Sequence, residues 1–253
     1  MGFMLFVGID LAWSERNGSG ISVLEGNKDE AKLIASKIVY SDKEITEFIF
    51  EHVGNKNALI AIDAPLIVPN EEGRRLAEEL VGNLFRKYNA GAHPANRKRL
   101  SSWTGKIRGE EISNVLEKLN FMHNPNIKKL EESRKFFEVY PHPSMVVLFK
   151  LDKILKYKNK PKRDYESRWK EFIRYQDYLK ELKPNVIMPK ELIKMNVKTL
   201  KGNALKNYED VLDAVFCAYI SYYTWLNPEK CAVLGSMKEG YIFFLDLHIL
   251  FPF

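Results

Sequence analysis

Two short apolar runs constrain this chain more than anything else in it. They are "LFVGID" at residues 5–10 and "ALIAID" at 58–63, each rich in strand-forming residues and each ending in an aspartate. The second is almost continuously apolar, the pattern of a strand covered on both faces. Between the two, segments 19–25 and 33–39 read as further strands, the first entered through the turn-rich "ERNGSG". Segment 42–54 places Ile45, Phe48, Ile49 and Val53 on one helical face and stops at Gly54. A crossover through that helix predicts that strand 58–63 lies parallel to strand 3–10. Parallel neighbours end at the same sheet edge, so Asp10 and Asp63 are expected side by side.

Beyond Asp63 the pattern changes. Residues 66–133 are mostly helical in pattern around the loop "NAGAHPANRKRLSSW" and read as an inserted cap with no strand of its own. Strand character returns at 136–140 in "FFEVY", and the prolines flanking His142 end it. The charged stretch 150–183 becomes helical in its second half, 208–226 is a strong helix, and 230–235 with 241–247 read as a closing hairpin. The order β-β-β-α-β, insertion, β, helix predicts an α/β chain of RNase H-like layout. That layout is one domain over 1–253, with a mixed five-stranded sheet, flanking helices, the 66–133 insertion after the fourth strand and a C-terminal hairpin. With 253 residues, 45% of them hydrophobic, there is enough chain to bury such a core.

The acids carry the chemistry. On the helix around "NYEDVLDAVFCAY", Asp210, Asp213, Ala214, Cys217 and Ser221 form a stripe of small or acidic residues beside a broad apolar surface. Small residues let a helix approach a sheet closely, and this one would project two carboxylates toward the strand ends. Carboxylates gathered at one point repel each other unless a cation joins them, and hard oxygen ligands select Mg²⁺ or Mn²⁺. Such a site can hold two metals roughly 4 Å apart for phosphodiester hydrolysis. Plainer roles compete: Asp10 and Asp63 as turn residues, and Asp210 as the capping partner of Asn207. Glu138 alternates with Phe137 and Val139 and is a further candidate ligand or a partner that holds one, with an exposed or Lys-paired strand acid as its alternative. His142, rigidly held between prolines, is a candidate for substrate contact or for a structural hydrogen bond.

"VGIDLAWS", "AIDAPL", "YNAGAHPAN", "EVYPHPS" and "YEDVLDAVFCAY", in that order, resemble the uncharacterised family of predicted RNase H-like nucleases. The resemblance spans nearly the whole chain. It implies that Asp10, Asp63 and Asp213 match the acidic positions of that fold's active site. The Asp-x-x-Asp of the last helix also resembles Holliday-junction resolvases. No histidine neighbours Asp213 in the sequence to shuttle protons.

A substrate surface is read from basic residues. Arg86, Lys87, Arg97, Lys98, Arg99, Lys106 and Arg108 fall in one acid-free run, interleaved with Tyr88, His93 and Trp103. Cations of this kind bind phosphates and the aromatics stack on bases, which makes Arg86, His93, Asn96, Arg97 and Arg99 candidate nucleic-acid contacts. Lys160 and Arg168 are added from "KNKPKRDYESR". The net charge of +6 suits a polyanionic partner. Cys217 and Cys231 are too few for a disulfide framework, and no signal peptide or membrane-length apolar run is present, so a cytoplasmic protein without membrane contact is expected. The expected function is a Mg²⁺- or Mn²⁺-dependent nuclease acting on DNA or RNA. The alternatives are an actin-like ATP-dependent phosphotransferase, for which no GxxxxGK loop is present, and a non-catalytic nucleic-acid-binding module of the same fold. Serine hydrolases, zinc peptidases and Rossmann dehydrogenases are excluded by the absence of GxSxG, HExxH and GxGxxG.

Overall fold

The computed structural model describes residues 3–245 except residue 103, so Trp103 and the last two positions of the expected hairpin, 246–247, lie outside the described residues. The first part of the chain forms β1 (Met4–Asp10), β2 (Ser19–Gly26), β3 (Glu30–Val39), α1 (Asp42–His52) and β4 (Ala58–Asp63). Then come α2 (Leu76–Phe85), α3 (Arg97–Ser101), α4 (Arg108–Lys118), β5 (Met122–His123), β6 (Arg134–Glu138) and α5 (Pro141–Leu148). The chain continues through α6 (Tyr165–Lys180), β7 (Asn185–Ile187), α7 (Lys190–Ile193), α8 (Gly202–Leu226), β8 (Cys231–Ser236) and β9 (Gly240–Leu245).

The central sheet has seven strands in the order β5-β6-β4-β1-β2-β3-β7, and β8 and β9 form a separate antiparallel hairpin. β1–β2 and β2–β3 pair antiparallel, while the other neighbours run parallel. Five strands were expected. The additional two, β5 and β7, are edge strands of two and three residues, too short to leave a period-two signature. α1 starts where its capping box dictates: Ser41 Oγ accepts from the Glu44 amide at 3.1 Å, and Glu44 Oε2 accepts from the Ser41 amide at 2.9 Å.

Both faces of the sheet are covered. Leu5, Val7, Ile9, Ile60 and Ile62 pack with Ile45, Phe48 and Ile49 of α1 and Ile112 and Leu116 of α4. Phe6, Leu59 and Ala61 face the other way, into a larger core with Val215, Phe216 and Ala218 of α8 and Phe243 and Phe244 of β9. The 66–133 segment is divided between them, with Val81 and Phe85 of α2 in the second core and α4 in the first. It also carries β5, against the expectation of no strand. After β6, Pro141 opens a helix at its first turn, where its missing N–H costs nothing. α8 begins six residues earlier than expected, so Asp210 lies inside the helix and does not cap it with Asn207. Among the described residues no helix is long and apolar enough to cross a membrane.

Candidate active site

β1 and β4 pair in parallel with Asp10 opposite Asp63. Side chains alternate along a strand, so Asp10 shares a face with Phe6 and Gly8, and Asp63 with Leu59 and Ala61. That face is the one α8 covers. α8 lies on it almost backbone to backbone. A Cβ on Gly8 would stand 2.0 Å from the Ala214 carbonyl oxygen, and one on Gly20 would stand 1.9 Å from that of Asp210. Glycine at these two strand positions, met by alanine and aspartate on the helix, brings the buried side chains of Asp210 and Asp213 to the end of the sheet where Asp10 and Asp63 emerge.

Two lysines enter this acidic cluster. Lys158 Nζ is 2.8 Å from Asp213 Oδ2, an ion pair whose angle falls short of a hydrogen bond, while the Tyr157 hydroxyl donates to Asp213 Oδ1 at 2.7 Å. One turn before Asp210, Lys206 Nζ donates to Glu209 Oε1 at 2.9 Å and to Asp210 Oδ1. Burial raises the pKa of Asp10 above the usual carboxylate range, with Lys158 opposing the shift and Asp213 adding to it. Burial, and then the neighbouring Asp10, hold Asp63 well above that range. Burial alone would lower the Lys158 ammonium, but Asp213, Asp10 and Asp63 together hold its pKa well above the ordinary value.

Asp210 is pushed up to about 8, first by burial and then by Asp10. An acid that keeps its proton in the folded state stabilises the fold fully below its unfolded pKa of 3.8, and loses that contribution as pH rises through about 8. The metal-free protein is therefore expected to melt at lower temperature near pH 8.5 than near pH 5. Asp210→Asn should flatten this fall, which differential scanning calorimetry at the two pH values would read directly.

Two clefts meet at Asp10 and Lys158, both of which line each of them. One, of about 730 Å³, runs past Trp13, Arg16, Tyr40 and Lys206. The other, of about 410 Å³, contains Asp63, His93, Tyr140, His142, Lys160 and Arg163. Trp13 is half-exposed, with the Arg99 guanidinium 5.1 Å from its ring centre. His142 stacks on Tyr140, its Nδ1 is buried without a hydrogen-bond partner among the described residues, and burial lowers its pKa to about 3. A neutral histidine thus stands beside the acids in space although none does in sequence.

Several expected site residues are occupied elsewhere. Glu138 is the register partner of Ile62, so it shares that residue's face and not the face of Asp63. Its Oε2 accepts from the Leu66 amide at 2.9 Å and from Arg75 Nη1 at 3.0 Å, and Arg75 Nη2 takes Oε1. Both carboxylate oxygens of Glu138 are thus engaged by Arg75 and the Leu66 amide, although the residue still borders the smaller cleft with Asp10 and Asp63. Arg168, expected to meet nucleic acid, is buried, donating from Nε to the Tyr157 carbonyl at 2.8 Å, with Glu209 beside it. Asn96 is the cap of α3, accepting from the Arg99 amide at 2.9 Å and donating to Gly73 O at 2.7 Å. Arg97 holds Val68 O and Glu110, Lys98 pairs with Glu72, and Arg108 bonds Asp42 and Tyr40 O. The run is acid-free in sequence but not in space. Arg86 is exposed at the end of α2. Of the expected contacts, His93 and Lys160 line the smaller cleft, and Arg99 lies beside it over Trp13. Arg163, from the same basic stretch as Lys160, lines that cleft too, whereas Trp13, Arg16, Lys158 and Lys206 were not expected there. Lys206 had a signal in its i,i+4 spacing from Asp210, and Lys158 in opening the basic stretch "KNKPKRDYESR".

Among the described residues no group of three or more His, Cys, Asp or Glu side chains stands in a metal-holding arrangement. Asp213 and Asp210 are each turned to an ammonium. No curated protein matches this chain. A family model does match, from the Gly8 of β1 that admits α8 to the turn of the closing hairpin: over residues 8–238 the chain belongs to the family described as "Protein of unknown function (DUF429)".

Proposed function

We propose that this protein is a divalent-metal-dependent nuclease that hydrolyses phosphodiester bonds of DNA or RNA. The observation that carries the reading is the placement of Asp10 and Asp63 as register partners at one sheet end, under the helix that bears Asp210 and Asp213. Burial, aided by Asp213 at Asp10 and by Asp10 at Asp63, raises the pKa of both strand acids, so their charged forms are undercompensated and a divalent cation would favour them. The donors are all carboxylate oxygens, which fits Mg²⁺ or Mn²⁺ and not a softer metal. Asp10, Asp63 and Asp213 would hold it, with Asp210 alongside. When bound, the metal supplies an activated water and charge stabilisation at the leaving oxygen.

The strand order β3-β2-β1-β4-β6, with its first three strands antiparallel and the rest parallel, also supports the RNase H-like reading, with β5 and β7 as additions at the edges. Trp13 offers a stacking face to an unpaired base, and Lys160, Arg163 and Arg16 offer phosphate contacts on either side of the acids. Single-stranded and structured DNA and RNA, incubated with the protein and Mn²⁺, should be cut, and EDTA should stop the cutting. Absence of cleavage on every substrate would refute the reading, and ATP consumption in its place would favour a phosphotransferase.

A further inference from the structure

We infer that Lys158 is a resident cation of the acidic cluster, one that a divalent metal must displace from Asp213 and that therefore sets the metal affinity of the site. This rests on the metal-dependent reading above. Asp213 is 1% exposed, and its two oxygens are taken by the Tyr157 hydroxyl at 2.7 Å and the Lys158 ammonium at 2.8 Å. Lys158 itself is 25% exposed and borders both clefts, so its side chain has open volume to move into. The second lysine differs. Lys206 reaches Asp210 and Glu209 from within α8, at i,i+4 and i,i+3, and is tied to the element that carries its partners. Lys158 comes from the separate segment between α5 and α6, so it can withdraw without disturbing the helix.

A point charge beside a divalent cation repels it strongly at low local dielectric. Displaced from Asp213, the ammonium remains at the junction of the two clefts, where it can bind a phosphate oxygen. Lys158 thus offsets the charge of Asp213 before metal arrives and faces the substrate afterwards.

Calorimetric titration with Mn²⁺ near pH 8 tests this in the wild type, Lys158→Met and Lys158→Arg. The methionine variant should bind Mn²⁺ at least about tenfold more tightly than wild type, and the arginine variant should not. Equal or weaker binding by the methionine variant would overturn the inference while leaving a metal site in place. Absence of Mn²⁺ binding in all three proteins would overturn both the inference and the metal-dependent reading. A Mn²⁺-soaked crystal of the wild type decides the matter even if the methionine variant does not fold. Manganese on Asp213 with Lys158 moved away supports the exchange, and manganese bound with the 2.8 Å ion pair intact overturns it.

Discussion

Replacing Asp10 with asparagine should leave a folded protein whose Mn²⁺-dependent cleavage is slower by about 10³-fold or more. The substitution keeps size and shape and removes a carboxylate whose charged form burial and Asp213 both disfavour. Stability should therefore hold or improve even as activity disappears. Asp213→Asn is expected to remove cleavage too, but at a cost in stability. It strips the partner from Lys158 and weakens the acceptor of the Tyr157 hydroxyl. Single-turnover cleavage assays with melting curves on both variants separate the two effects. Cleavage surviving in Asp10→Asn would remove Asp10 from the site.

Gly8→Ala should be strongly destabilising. The added methyl would meet the Ala214 carbonyl oxygen at 2.0 Å and the Ala218 amide nitrogen at 2.2 Å, both backbone atoms that cannot rotate away. Accommodation requires α8 to lift from β1, which opens the larger core and moves Asp210 and Asp213 away from Asp10 and Asp63. Overpacking of this kind costs about 3 kcal/mol, roughly 6–12 °C in melting temperature for a domain of this size. Cleavage should fall with it, since the carboxylates no longer converge. Gly82→Ala is the control. That position lies inside α2, where the nearest atom to an added Cβ is the Arg86 guanidinium at 3.8 Å, and alanine there should be neutral or mildly stabilising. Equal melting temperatures for the two variants would show that α8 does not depend on glycine at position 8.

The features legible in the sequence are those with a local period or a topological rule behind them. An apolar run ending in Asp10, another ending in Asp63, and a helix between them suffice to place the two acids on one sheet edge, because crossovers between parallel strands are right-handed and strands alternate. The small-residue stripe of α8 likewise announced a close approach to the sheet, which Gly8 and Gly20 then permit. Glu138 shows where the same logic fails. Alternation gave its orientation relative to Phe137, but which face that meant depended on its register against Ile62, set by a pairing between strands some seventy residues apart.

The sequence by itself determined the strand-end acids, their common edge and the helix that carries two more, since each follows from spacing within a few residues or from chain topology. Only the tertiary structure decided what neutralises them. Lys158 reaches Asp213 and Arg75 takes Glu138 across long stretches of chain, and Glu72 and Glu110 silence part of the basic run that looked free. A charge senses every group within a few ångströms whatever its place in the chain, and that neighbourhood exists only once the core has closed around it.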